Sequence, residues 1–287
     1  MPLLHKDRLP KWALEPGPWA ELFALFNLAF LAVDISLAHS FNRFARWPEW
    51  IPIGFSVAGP AVLLAAWMLG GLMVYGKAGG RAAVSRWLGG MVGWGAILVG
   101  VAGFVLHLNS QFFQSQTLKS LVYTAPFAAP LAYAGIGLLI LLNRTVDPRS
   151  AEWGGWVTVL AVSGFAGNFV LSLADHAQNG LWNPAEWAAV IAAALAVGFL
   201  LVPILLPVNR RYLRVCFALM VMEAAVGVVG EGYHVSADLR GPSAKMLDNF
   251  IYGAPAFAPL LFANLALLAA IGLWKLYAIQ VDGPARR

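Results

Sequence analysis

The sequence predicts an all-α polytopic membrane protein: eight transmembrane helices built as a tandem duplication of a four-helix unit, with a pseudo-two-fold axis along the membrane normal. Composition, eight long apolar runs and an internal repeat predict it. Of 287 residues, 60% are hydrophobic and 11% charged, against about 45–50% and about 25% in soluble domains. So few charges cannot coat a globule of this size, which excludes a soluble enzyme. The single cysteine, Cys216, excludes a disulfide framework and a cysteine-ligated zinc site or cluster. A net charge of +5 reads as positive cytoplasmic loops rather than nucleic-acid binding.

A span needs about 20 mostly apolar residues to cross about 30 Å of hydrocarbon. Residues 19–39, 51–75, 87–107, 121–142, 156–176, 187–206, 212–234 and 250–277 qualify. These runs are far longer than the roughly ten residues of a barrel strand. Residues 1–17 carry Lys6, Arg8 and Lys11 without a small-residue cleavage site after a short apolar core. They read as a cytoplasmic lead-in, not a cleaved signal. With that end inside, 14 of the 19 lysines and arginines, Arg144 among them, fall on the inner side. By the positive-inside rule both termini are cytoplasmic, and the expected location is a bacterial inner membrane.

The chain then repeats itself. YTAPFAAPL at 123–131 matches YGAPAFAPL at 252–260. VGVAG at 99–103, ahead of His107, matches VGVVG at 226–230, ahead of His234, at nearly the same offset. His39, Asn42, Trp47, Pro48, Glu49 and Trp50 in the first outer loop have matches in His176, Asn179, Trp182, Pro184, Glu186 and Trp187 in the third. The units are 18–145 and 153–280, with a cytoplasmic tail at 281–287. Four spans per unit is an even number, so both halves share one topology and the axis lies along the normal. Pro126 with Pro130, and Pro255 with Pro259, are expected to kink spans four and eight near their outer ends, since each removes a donor and crowds the preceding turn.

Apart from His5 in the N-terminal segment, the histidines are His39, His107, His176 and His234, each at the outer end of an odd-numbered span. Ionisable groups at membrane depth are costly and usually face a bundle interior. Imidazole is the commonest metal ligand. The four are therefore candidate ligands of haem b or a transition metal ion, paired as His39 with His107 and His176 with His234. The competing reading is that they are interfacial anchors copied by duplication.

The second unit departs from the first where Glu231 replaces Phe104 and Glu223 replaces Ala96. Glu231 and His234 share a helix face at i, i+3, the Glu-x-x-His pairing of carboxylate metal sites in bundles. Glu231 is a candidate metal ligand or a support to His234. Glu223 lies about three turns before His234 on the same face, about 16 Å of rise. At that depth a carboxylate needs a partner or a proton, and Glu223 is the candidate proton-transfer group. Asn27 with Asp34, Asn168 with Asp175, and Asn264 add polar groups within the spans, of which Asp175 ranks below Glu231. The outer loops are aromatic (Phe41, Trp47, Trp50, Phe113, Trp182 and Tyr233 among others), as an interfacial belt or the cover of a flat cofactor would be. No Walker motif, dinucleotide fingerprint or nucleophile elbow occurs, so no nucleotide partner is expected.

In layout the chain resembles haem A synthase, which also has eight spans, two four-helix halves and paired histidines. That resemblance is one of architecture and transfers no residue role. The expected function is electron or proton transfer on the outer, periplasmic face. The lipid bilayer is the first expected partner, with other subunits or a periplasmic redox protein as further ones. A small-solute or proton carrier using Glu223, and a structural subunit of a membrane complex, are the alternatives.

Overall fold

The computed structural model describes residues 10–110, 112–122, 125–178 and 180–282, and His5, Asn179 and the extreme termini lie outside them. The described residues are all-helical with no strand. A 3-10 turn at Lys11–Leu14 leads into α1 (Pro16–Ser40), which opens on prolines whose missing N–H groups have no partner in a first helical turn anyway. A second 3-10 turn, Trp47–Glu49, feeds α2 (Trp50–Gly70). There follow α3 (Gly80–Ser110), the short α4 (Phe112–Ser115) and α5 (Leu118–Val122), and α6 (Leu131–Thr145). The remainder is α7 (Ala151–Gln178), α8 (Glu186–Leu205), α9 (Arg210–Leu239), the short α10 (Met246–Tyr252) and α11 (Leu260–Asp282).

Seven of these helices are long and apolar enough to cross a membrane, and α6 is apolar but shorter. Large apolar side chains on them point outward, Met68 at 89% and Val221 at 72% exposure. That is the surface of a chain whose solvent is lipid.

The paired prolines do not kink helices, contrary to the expectation from sequence; they precede them. Residues 125–130 form turns, so the run 121–142 is not one helix, and α6 begins at Leu131 after Pro130. Likewise α11 begins at Leu260 after Pro259, while Phe250 belongs to α10. Two prolines four residues apart remove two donors from a single turn and disfavour α geometry in the residue before each. The chain therefore makes tighter i to i+3 bonds and becomes helical only after the second proline. Ala129 N–H donates to Pro126 O at 3.1 Å, Leu131 to Ala128 at 3.0 Å and Tyr133 to Pro130 at 3.1 Å. The same set recurs in the second half: Ala258 to Pro255 at 3.4 Å, Leu260 to Phe257 at 3.1 Å and Phe262 to Pro259 at 3.1 Å.

The long helices pack as two rings. In the first, α1 and α3 occupy opposite corners and each packs on α2 and α6. In the second, α7 and α9 occupy opposite corners and each packs on α8 and α11. Between rings, α1 meets α11 and α6 meets α7. One apolar cluster runs through both, with Leu28, Leu63, Trp153, Phe165 and Leu213 fully buried. Close approach within each ring uses glycine at one matched position. A Cβ on Gly100 would lie 2.7 Å from Ala134 N, and one on Gly227 would lie 2.8 Å from Pro259 O.

Candidate functional site

Each of the four histidines on the long helices sits near the C-terminal end of an opposite-corner helix: His39 on α1, His107 on α3, His176 on α7 and His234 on α9. The opposite-corner placement lets rings from helices that do not pack along their length meet across the bundle. In the first ring, His39 and His107 have centroids 6.5 Å apart with planes at 57°. His39 Nδ1 is 3.0 Å from the Glu49 carbonyl oxygen, and His107 Nδ1 is 3.1 Å from that of Pro126. In the second ring, His234 Nδ1 is 3.0 Å from the Pro255 carbonyl oxygen. His234 is also within electrostatic range of His176 and Asp175, as His107 is of His39 and Glu49. A carbonyl only accepts hydrogen bonds, so in all three contacts Nδ1–H donates, and in the neutral imidazole this leaves the lone pair on Nε2.

The loop after His39 explains its motif. Phe44 N–H caps the His39 carbonyl at 3.2 Å, and Leu181 N–H caps that of His176 at 3.0 Å. The chain turns through positive φ at Arg43 (57°) and Phe44 (53°), and through Gly180 (80°) and Leu181 (54°) at the matched positions. Two consecutive positive-φ residues cost about 1–3 kcal/mol each where they are not glycine. That cost is offset by what the turn brings together. Asn42 Nδ2 donates to Glu49 Oε1 at 2.9 Å while the Glu49 carbonyl holds His39. Phe44 stacks on Trp50 with centroids 4.3 Å apart and meets His39 edge-on at 6.0 Å. The matching Asn179 lies outside the described residues. The His-x-x-Asn…Glu-Trp pattern thus orients an imidazole from outside the helix.

Below the histidines the halves differ. In the first, Phe104 packs on Phe127 with centroids 6.2 Å apart. Their matched positions hold Glu231 and Ala256, so the second half exchanges two rings for a carboxylate and a methyl group. Glu231 is half-buried and its buried Oε2 has no hydrogen-bond partner among the described residues. Deeper, Glu223 is completely buried, and neither of its carboxylate oxygens has such a partner. Asn168 Nδ2 on α7 is in the same condition. In the first half, the polar side chains at this level are bonded to each other: Tyr133 Oη and Ser56 Oγ are 2.5 Å apart, and Tyr133 also donates to the Pro52 carbonyl at 2.9 Å. Asn264 donates to Asn27 across the boundary between rings at 2.5 Å. Among the described residues, no three histidine, cysteine, aspartate or glutamate side chains converge closely enough to hold a metal ion. The pairs available are therefore two-donor sets.

A polar cluster that the sequence pattern does not reveal lies at the ends of the helices opposite the histidines. Arg144, counted from sequence as a loop charge, is buried and pairs with Glu21 at 2.9 Å, with both side chains at most 5% exposed. Asn143 Nδ2 donates to Glu21 Oε1 at 3.0 Å, and Trp67 Nε1 donates to Oε2 at 3.0 Å. Asn143 Oδ1 then accepts from Trp153 Nε1 on α7 at 2.8 Å. This cluster ties α1, α2 and α6 to the second ring. The available signal was Glu21 inside an apolar run with no inner-loop function of its own. The matched positions in the second half are Thr158, Ile204, Gly272 and Leu273, so the second half has no equivalent.

No protein-family model, curated protein or solved structure matches this chain.

Proposed function

We propose that the chain is an integral membrane protein that holds haem b through paired histidines at its outer face and takes part in electron and proton transfer. The architecture belonging to this reading is an eight-helix tandem duplication, 18–145 and 153–280, with a pseudo-two-fold axis along the membrane normal and both termini cytoplasmic. The matched proline turns and the matched ring packing support the duplication. Exchange of halves also maps the α1–α11 contact onto the α7–α6 contact, as a two-fold axis requires.

The observation that carries the function is the pair His39 and His107, 6.5 Å apart and each tethered through Nδ1 to a backbone carbonyl. Such tethers fix tautomer and ring orientation in histidines that ligate metals. Two histidine nitrogens would suffice to hold a haem iron, and the pair would supply them, whereas a bare ion of ordinary coordination needs three or four donors. The two-donor sets therefore favour haem over a transition metal ion. His39 with His107, and His176 with His234, would hold one group in each half, and haem supplies one-electron transfer when bound. Glu231, one turn from His234, supports that histidine or adds a ligand. Glu223 holds a proton within the second half, since an ionised carboxylate with no donor would be costly there. The aromatic outer loops shield the site from water, and a periplasmic redox partner is the expected electron donor or acceptor.

One observation favours a second reading: the buried Glu223, without a partner among the described residues, also suits a proton or small-solute carrier. A visible absorption spectrum of the detergent-purified protein, oxidised and then dithionite-reduced, with metal analysis on the same sample, separates the two. A Soret band with sharp reduced α and β bands supports haem. A colourless sample with stoichiometric copper, iron or zinc keeps the histidines as ligands and removes haem. A colourless, metal-free sample refutes ligation and leaves the carrier or a structural subunit.

A further inference from the structure

We infer that the proline pairs are tautomer-setting elements: Pro126 with Pro130 positions His107, and Pro255 with Pro259 positions His234. In an α-helix the carbonyl of residue i accepts from the N–H of residue i+4. For Pro126 and Pro255 that donor would be Pro130 and Pro259, and proline has none. Each carbonyl is left with one backbone donor, three residues on, at 3.1 Å from Ala129 N and 3.4 Å from Ala258 N. The second lone pair of each oxygen faces the imidazole, with Nδ1 at 3.1 Å in His107 and 3.0 Å in His234. A carbonyl oxygen has two acceptor sites, and the proline spacing reserves one of them for histidine.

The arrangement occurs twice in one chain. Prolines and histidine recur together at matched positions of the two halves, although one turn reads FAA and the other AFA between its prolines. Side chains between the prolines vary while the donor-free position and its histidine persist. His39 reaches the same protonation pattern by another route, through the Glu49 carbonyl ahead of α2. These prolines are positioning residues. They place the proton on Nδ1 and the lone pair on Nε2, and the bond to the carbonyl makes Nε2 a stronger donor to whatever it ligates. The tautomer assignment stands on the hydrogen bonds, while its consequence for a ligated group rests on the function proposed above.

The test is 15N NMR of the full-length, histidine-ring-labelled protein in detergent micelles under reducing conditions. Histidine signals are assigned by single His→Gln variants. The wild type should show His107 and His234 with the proton on Nδ1. Pro130→Ala should weaken or broaden the His107 Nδ1–H signal and leave His39 unchanged. Pro259→Ala should do the same to His234. The unchanged His39 signal reports that the variant is folded, and the wild-type spectrum tests the assignment without any substitution. Protons on Nε2 in the wild type, or tautomers indifferent to both proline changes, would overturn the inference. The readout needs no cofactor, so a colourless protein with Nδ1–H tautomers would end the haem reading and keep this one. Where the protein is coloured, Pro130→Ala should also shift a midpoint potential upward, because a weaker Nε2 donor stabilises the oxidised ion less.

Discussion

The histidines and Glu223 are single residues whose surroundings assign them opposite tests. His39 and His107 have each other and a backbone tether; their worth lies in what the pair can bind. With one group per half, His107→Ala should halve the haem content of the purified protein, and adding His39→Ala should remove nothing more. His234→Ala on top of these should abolish it. Pyridine-haemochrome quantification reads the result, and unchanged content in a variant that also carries His176→Ala, and so lacks all four histidines, would falsify ligation. Glu223 has no tether among the described residues. Glutamine keeps the volume and the uncharged form of a protonated glutamate, so Glu223→Gln should melt in detergent at or above the wild-type temperature. The same variant should lose proton uptake on reduction, followed with a pH-indicator dye. A strong fall in melting temperature would mean instead that the carboxylate is paired in the folded protein.

At the scale of elements, proline and buried charge decide where helices begin and how they join. A turn that has lost two donors cannot stay α-helical, which is why α6 and α11 start after Pro130 and Pro259 and why both rings open into loops at their histidine ends. At the end away from the histidines, Glu21 joins α1 to α2 and α6, and Asn143 carries the network on to α7. Removing one partner of a buried ion pair leaves an uncompensated charge, typically a loss of about 3–5 kcal/mol. Glu21→Ala should therefore lower thermal stability in detergent by that order. Combining Glu21→Ala with Arg144→Leu should recover most of it, because two apolar groups desolvate at little cost. Equal melting of the single and double variants would show that the pair is not the source of the effect.

At the scale of the molecule, the contact pattern is two closed rings sharing two interfaces, and these interfaces exchange under a swap of halves. The halves are nevertheless not equivalent. Among the described residues the first half bonds Tyr133 to Ser56 and Glu21 to Arg144, leaving Arg144 Nε and Glu49 Oε2 without partners, while the second holds Asn168 Nδ2, Glu231 Oε2 and both carboxylate oxygens of Glu223 in that condition. The proposed orientation rests on the charges. Lysine and arginine concentrate on the side opposite the histidines, so fluorescent-protein fusions at either terminus should glow in cells and alkaline phosphatase fusions there should be inactive. An active C-terminal phosphatase fusion would reverse the orientation and put the histidine face in the cytoplasm.

Sequence alone determined that this is an all-helical chain suited to lipid, since that follows from residue type and from run length in proportion to a bilayer. Its repeat predicts that the four histidines share one end, and in the structure the His39 and His107 rings meet while His176 lies within electrostatic range of His234. The motif His39-x-x-Asn42 was visible in the sequence too, but its role as an orienting loop was not. Tertiary structure decided which groups meet. The Glu21–Arg144 pair joins residues 123 apart in the chain, and the His107 tether comes from a carbonyl 19 residues on. Helical periodicity reports only neighbours on one helix, three or four residues away. It also could not tell a proline that kinks a helix from one that precedes it, because the deciding term is where the orphaned carbonyl finds its donor. Here that donor is an imidazole on another helix.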